Sequence, residues 1–420
     1  MTSRRVFFLT PGVAAATLAA APKRREDLPT PAVIGELDKF EANLAKMAAH
    51  VKQSGLGFRP HAKTHKSAEI AKLCEKAGAV GSCAAKLSEA QALAAGGARG
   101  LLVTTAVIGR AKIAAGVELA RRRPETVFCV DHAANAEDWD AAARAAGVRV
   151  NLAIDLWVGR RTGVMPGQPA LELARHLSRL KNVRFQGIQA YSGYSSHTHG
   201  FEKREAVSKQ AMGEAVETRA LIESAGIACP WLSGGSTGTG NIDTGIPGGT
   251  EVQPGRFLFL DIDYRRIGSR GAEEFNDFAQ SLFVICTVVS QPKPGMAVID
   301  GGFKAFATDR GYGPELRGRR EVKFSFGGDE HGVLMDSGAK VGDRLEFVVP
   351  HCDPTIAHYD ALHVVQADRL VVQLLGLGEM VVEDDEAHAV ARHRRQQPRA
   401  LLDEMDLGAD LHAQVGQRLR

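Results

Sequence analysis

The chain has 420 residues, 44% of them hydrophobic and 24% charged, with a formal net charge of +3. That length holds two sizeable cores at about 100–200 residues each, and the composition is that of an ordinary globular protein. Lys and Arg are dispersed among nearly as many acids, which argues against a nucleic-acid-binding surface, and no low-complexity tract interrupts the middle of the chain.

At the N-terminus, Ser3-Arg4-Arg5-Val6-Phe7-Phe8-Leu9 leads into an Ala-rich apolar stretch ending near Ala21. This resembles a twin-arginine export signal over residues 1–21 and implies a periplasmic protein, or a cytoplasmic one if the signal does not function. The competing reading is an ordinary basic N-terminus. The stretch is too short to span a bilayer, which takes about 20 apolar residues, and no other segment reads as transmembrane. Eight β-rich runs follow, at 57–62, 79–84, 101–105, 126–130, 148–155, 185–190, 230–233 and 257–261. Helical stretches rich in Ala, Leu, Glu and Arg lie between most of them, as at 68–77, 87–95, 110–122 and 203–223. Such alternation implies parallel strands joined by right-handed crossovers, and eight units predict a (β/α)8 TIM-type barrel over 28–265. An open doubly wound sheet is the alternative. From 266 to 382 the texture changes: Val-, Leu- and Phe-rich runs at 281–291, 296–300, 344–349 and 362–375 are separated by Gly, Pro and Asp turns, which predicts an all-β domain. Residues 383–420 form a charged, helix-prone tail with no readable role. The six cysteines never form a CxxC pair, so they read as buried apolar residues rather than as a zinc ribbon or redox centre.

In a barrel of this kind the loops at the carboxyl ends of the strands carry the chemistry. Four such loops are unusual: Arg59-Pro60-His61-Ala62-Lys63-Thr64-His65-Lys66 after the first strand, Gly159-Arg160-Arg161-Thr162-Gly163 after the fifth, Tyr191-Ser192-Gly193-Tyr194-Ser195-Ser196-His197-Thr198-His199 after the sixth, and Ser233-Gly234-Gly235-Ser236-Thr237-Gly238-Thr239 after the seventh. The last has the small residues that expose backbone N–H groups to an anion, and it lacks the Lys of a Walker loop. Lys63 has cationic neighbours in Arg59, His61, His65 and Lys66, which are expected to depress its pKa and free its amine for an aldehyde. An aldehyde-binding lysine and a phosphate cradle on one barrel face point to pyridoxal phosphate (PLP).

These motifs, together with Asp300-Gly301-Gly302-Phe303-Lys304, resemble the D-threonine aldolase/D-serine dehydratase family, fold-type III PLP enzymes related to alanine racemase. The resemblance covers roughly residues 28 to 367. It implies that Lys63 bonds the cofactor aldehyde and that Arg161 lies beside the cofactor ring, with Arg160 immediately before it as the competing register. Gly235, Ser236, Gly238 and Thr239 would hold the phosphate, and Tyr191 would lie near the cofactor. In Val349-Pro350-His351-Cys352-Asp353-Pro354-Thr355 the sequence resembles the aldolase branch, where His351 and Asp353 hold a divalent metal; the dehydratase branch has Cys where Asp353 stands. Read as a strand, this segment would put His351 and Asp353 on one side and Cys352 on the other. An N,O pair with open positions suits Mn²⁺ or a similar ion. His197 matches the family's base position, with His199 as a competitor; His61, His65, His331 and His358 receive no role.

The implied reaction is the metal-assisted cleavage of D-threonine and other D-3-hydroxy-amino acids to glycine and an aldehyde. The alternatives are a D-serine or 3-hydroxyaspartate dehydratase, a non-catalytic PLP-binding protein, and a plain alanine racemase, whose substrates need no metal. A small-molecule substrate, no nucleic acid, no membrane and, by analogy, a homodimer complete the expectation.

Overall fold

The computed structural model describes residues 24–375. The expected signal at 1–21 and the tail at 383–420 lie outside them. Among the described residues no helix is long and apolar enough to cross a membrane.

The first strand, β1 (Ala32–Glu36), does not belong to the barrel although it falls inside the 28–265 span. The barrel begins with β2 (Gly57–Phe58) and continues through β3 (Ser82–Ala84), β4 (Leu101–Val103), β5 (Val127–Val130), β6 (Val150–Asp155), β7 (Val183–Ala190), β8 (Trp231–Gly234) and β9 (Glu251–Val252). These eight form one parallel sheet in the order β2-β9-β8-β7-β6-β5-β4-β3. The ring closes through a parallel bridge between His61 and Cys83, where the Cys83 N–H donates to the Pro60 carbonyl at 2.9 Å. The barrel reading therefore stands, but its eighth strand is not at 257–261. That run is a single 3-10 turn, Arg256–Leu258, followed by the short helix Ile262–Arg265. Phe257, Leu258 and Phe259 are buried because they pack on the first helix, Leu37–Ser54, with Phe259 and Phe40 ring centroids 5.8 Å apart. A short buried apolar run looks the same in either conformation.

Alternation along the barrel strands sorts the side chains. Leu101, Val103, Phe128 and Val130 face the surrounding helices, whereas Cys83, Leu102 and Cys129 form a separate cluster. All six cysteines are buried and free. A polar chain links other strands: Arg59 pairs both oxygens of Glu251, Ser233 donates to Glu251, Gln253 donates to Ser233 and Gln189, and Gln189 donates to Asp155. It ends on Thr162, whose hydroxyl donates to Asp155 at 2.7 Å. The loops bearing Lys63 and Arg161 are thus tied through one hydrogen-bonded network.

The second sheet contains β1 with β10 (Leu282–Lys293), β11 (Met296–Ile299), β12 (Glu315–Leu316), β13 (Lys323–Phe326), β14 (Gly332–Met335), β15 (Arg344–Val348), β16 (Ala361–Gln366) and β17 (Arg369–Leu375). Its central order is β13-β14-β11-β10-β1-β16-β17, with β15 also paired to β10. All pairings are antiparallel except β1 with β16. The run expected at 362–375 is a hairpin, β16 and β17.

Candidate active site

Lys63 lies in the 3-10 turn Ala62–Thr64 directly after β2. Its Nζ is 5.5 Å from the Tyr191 ring centroid, and the Arg161 guanidinium carbon is 5.7 Å from the same ring. Three loops thus meet around Tyr191. Arg160 has a left-handed backbone (φ 58°) and turns away to lie 4.5 Å over the exposed Tyr194 ring, so the arginine that faces Lys63 is Arg161. The expected cationic setting of Lys63 is corrected. His61 and His65 are buried, and burial pulls both below the ordinary histidine range, His65 to about 3. Both are neutral, and the charge of Arg59 is matched by Glu251.

The loop after β8 brings Gly235, Ser236, Gly238 and Thr239 together. Gly235 has φ +68°, and a Cβ there would come within 2.7 Å of the Asp243 carboxylate. A Cβ at Gly238 would run into the Ser196 carbonyl, so the loop after β7 lies directly against this one. Ser236 and Thr239 hydroxyls bond at 2.9 Å, and Asp243 accepts from Thr239 and, at 2.6 Å, from Ser208. The N–H groups of Ser236, Thr237, Gly238 and Thr239 have no backbone acceptor among the described residues. Four free donors in a glycine-rich turn suit a phosphate.

The third cluster is assembled from distant segments. His351 precedes the short helix Cys352–Ala357, so the 349–355 segment is not a strand and alternation does not orient its side chains. His351 and Asp353 nevertheless approach, Nε2 to Oδ2, at 4.0 Å. His351 Nδ1 lies 2.7 Å from Asp309 Oδ2. Burial, then the neighbouring Arg256, lowers the His351 pKa, so the ring is neutral, Nδ1–H donates to Asp309 and the lone pair is on Nε2. Both His351 Nε2 and Asp353 Oδ1 are buried without a hydrogen-bond partner. Burial pushes the Asp353 carboxyl up, but Arg256, Lys63 and His351 outweigh it and hold it at about 2. Lys63 Nζ is 4.0 Å from Asp353 Oδ2, which joins this cluster to the loop after β2.

His197 faces the same corner. Its Nδ1 is 2.9 Å from Asp263 Oδ2 and its Nε2 is 2.9 Å from Arg256 Nη2. Arg256 donates only, so the lone pair is on Nε2 and the proton is on Nδ1, which faces the Asp263 carboxylate without an aligned hydrogen bond. Burial keeps His197 below the usual range despite Asp263. His199 is exposed to solvent, as are His331 and His358.

Arg256 is the residue that sequence reasoning missed. It is buried, stacks 4.2 Å over Tyr264, contacts Asp261 and Asp263 at 3.0 Å each, and lies 3.9 Å from Asp353. Asp261 in turn accepts from the Cys352 N–H at 2.8 Å, between His351 and Asp353. Arg310 adds a second guanidinium, 3.2 Å from Asp263. The available signal was the set of charges flanking the apolar run: Asp261 caps the short helix by accepting from the Tyr264 N–H.

Among the described residues no three His, Cys, Asp or Glu side chains are grouped to hold a metal. The His351/Asp353 pair fits one through two protein donors, a neutral imidazole oriented by a carboxylate and a low-pKa carboxylate, with the remaining positions left to substrate and water.

Residues 36–263 match the alanine racemase N-terminal domain, and residues 281–365 match the putative serine dehydratase domain. The 3-hydroxy-D-aspartate aldolase of Paracoccus denitrificans (strain Pd 1222) is 36% identical over 340 residues, 80% of this chain and 88% of that protein. The D-threo-3-hydroxyaspartate dehydratase of Delftia sp. (strain HT23) is 30% identical over 373 residues, 81% and 95% of the two chains. The crystal structure of D-threonine aldolase from Filomicrobium marinum superposes with a TM-score of 0.82 at 32% identity, covering 86% of this chain and 98% of that one. With both domains in this order and relatives of this identity along most of its length, the chain belongs to the D-threonine aldolase/D-serine dehydratase family of alanine-racemase-like lyases.

Proposed function

We propose that this protein is a PLP- and divalent-metal-dependent aldolase that splits D-3-hydroxy-amino acids, D-threonine among them, into glycine and an aldehyde. The observation that carries the reading is the pair of orphaned, buried atoms His351 Nε2 and Asp353 Oδ1 beside Lys63. PLP fits the described residues: Lys63 for its aldehyde, Arg161 and Tyr191 beside its ring, and the free N–H groups of Ser236 to Thr239 for its phosphate. When bound, it supplies the sink for the electrons left on Cα. A metal held by His351 and Asp353 would supply Lewis acidity toward the β-hydroxyl.

The protein's own groups do the rest. His197 is neutral and accepts the hydroxyl proton at Nε2, where the substrate oxygen takes the place of the Arg256 N–H. The Asp263 carboxylate, on Nδ1, steadies the imidazolium that results. The Cα–Cβ bond then breaks, the aldehyde leaves, and Cα takes up one proton to become glycine, balancing the one His197 removed from the hydroxyl. Arg256 and Asp261 hold the His351–Asp353 turn in register with His197.

The second reading, dehydration, is favoured by the Delftia relative and opposed by Asp353, which stands where that branch has Cys. The test incubates the enzyme with PLP, Mn²⁺ and either D-threonine or D-3-hydroxyaspartate, with the L-isomer and EDTA as controls. Glycine plus acetaldehyde or glyoxylate, from the D-isomer only and lost with EDTA, is the expected outcome. Ammonia with 2-oxobutyrate or oxaloacetate would place the protein in the dehydratase branch. A PLP-loaded protein that yields neither pair of products would overturn both enzyme readings.

A further inference from the structure

One buried charge has no part in the chemistry above. Arg204 stands in the first turn of the long helix Phe201–Ser224 and is 0% exposed. Its guanidinium makes four hydrogen bonds, all to backbone carbonyls: Nε to Gly238 at 2.8 Å, Nη1 to Ile267 at 2.7 Å and Thr198 at 3.1 Å, and Nη2 to Gly268 at 2.6 Å. The Phe201 and Phe275 rings lie 5.6 and 5.9 Å from its central carbon. Among the described residues no carboxylate forms an ion pair with it, although the other buried arginines have them: Arg256 with Asp261 and Asp263 at 3.0 Å and Arg265 with Glu315 at 2.6 Å. An arginine keeps its charge at any ordinary pH, and burying a charge without a partner is strongly unfavourable. Four carbonyls account for its hydrogen bonds, and the carboxylates of Asp277 and Glu202 act on its charge only from beyond ion-pair distance.

Its contacts lead to the glycine-rich loop. Gly238 is the centre of the glycine-rich loop. The Gly238 carbonyl and the Thr239 N–H belong to one trans peptide and point in opposite directions, so the bond from Arg204 turns that N–H outward. It is one of the four N–H groups without a backbone acceptor. Further along the same helix, Ser208 holds Asp243 at the far end of the loop. The Thr198 carbonyl belongs to the segment that carries His197, and Ile267 and Gly268 follow the Asp263–Tyr264 segment.

We propose that Arg204 is a positioning residue for the cofactor phosphate. It aims the N–H groups of the loop, gives a phosphate dianion the positive charge it meets behind that loop, and fastens the loop to the segment bearing His197. The inference rests on the PLP reading. Across one peptide unit, a full charge at an effective dielectric of about 20 changes phosphate affinity by roughly tenfold or more.

The test titrates the apoenzyme with PLP and with pyridoxal, which lacks the phosphate, following absorbance. Wild type, Arg204→Lys and Arg204→Met are compared, with circular dichroism confirming that each is folded. Arg204→Met is expected to raise the Kd for PLP roughly tenfold or more while the Kd for pyridoxal moves less than about twofold. Arg204→Lys, which keeps the charge and loses the fork, falls between and serves alone if the Met variant does not fold. Equal weakening of both ligands would show a purely structural clamp and overturn the proposal, as would unchanged PLP affinity in a folded variant. A wild type that binds neither ligand would instead fail the cofactor reading, and this inference with it.

Discussion

The phosphate end and the reaction corner of this site are built on opposite plans. The phosphate end consists of one loop of small residues, backbone N–H groups and hydroxyls, backed by a single helix. The reaction corner packs Arg256, Arg310, Asp261, Asp263, Asp353, Asp309 and two neutral histidines into one cluster drawn from four separated segments. A bound anion needs donors that are already aimed, and a short loop can aim its own. Moving a proton and holding a cation needs several charges fixed against one another, and the tertiary fold has to bring those together.

The contrast can be broken most severely at Arg256. Arg256→Met removes the partner of buried Asp261 and is expected to destabilise the fold by about 3–5 kcal/mol, measured by denaturant unfolding. A loss under about 1 kcal/mol would mean that the corner is held by its backbone rather than by the guanidinium.

A middling effect is expected at Asp243, beneath the phosphate loop. Burial raises its pKa from 3.8 to about 6, against the hydrogen bonds from Ser208 and Thr239. The unfolded chain releases this proton near the lower value and the folded chain near the higher one. Its contribution to stability is therefore full at low pH and is lost as pH rises from about 4 to about 6, by up to about 3 kcal/mol. Asp243→Asn removes that slope. Stability curves for the two proteins that stay parallel across the window would show that Asp243 ionises freely in the folded state.

The smallest change is at the Arg160/Arg161 pair. Arg160→Ala loses one exposed stacking contact with Tyr194, about 0.5–1 kcal/mol, and leaves the Kd for PLP unchanged. Arg161→Ala, which removes the guanidinium beside Tyr191, raises that Kd measurably. The reverse pattern in a fluorescence titration would reassign the register.

Much of this site was legible because its pieces are short and local. The run from Arg59 to Lys66, the Arg-Thr-Gly turn and the Gly-rich loop each announce a backbone shape and a donor set within a few residues. Arg256 was hidden because it precedes Phe257–Leu260, a buried apolar run that periodicity cannot tell from a strand. The same ambiguity put the eighth barrel strand at 257–261 instead of Glu251–Val252, which is only two residues long. The reading of 349–355 as a strand brought His351 and Asp353 together on a wrong geometry; a helix start capped by Asp261 does it instead.

The sequence by itself determined the barrel-plus-sheet architecture, the loop that carries Lys63, and the small, donor-rich character of the loop after β8, because alternation, glycine placement and loop composition act over a few residues. Only the tertiary structure decided which charges are paired and which histidines are neutral. It also decided that β1 leaves the barrel for the second sheet and that Arg204 is buried with its hydrogen bonds on backbone carbonyls rather than on a carboxylate. Pairing and desolvation depend on what the rest of the chain packs around a group, and no local pattern carries that information.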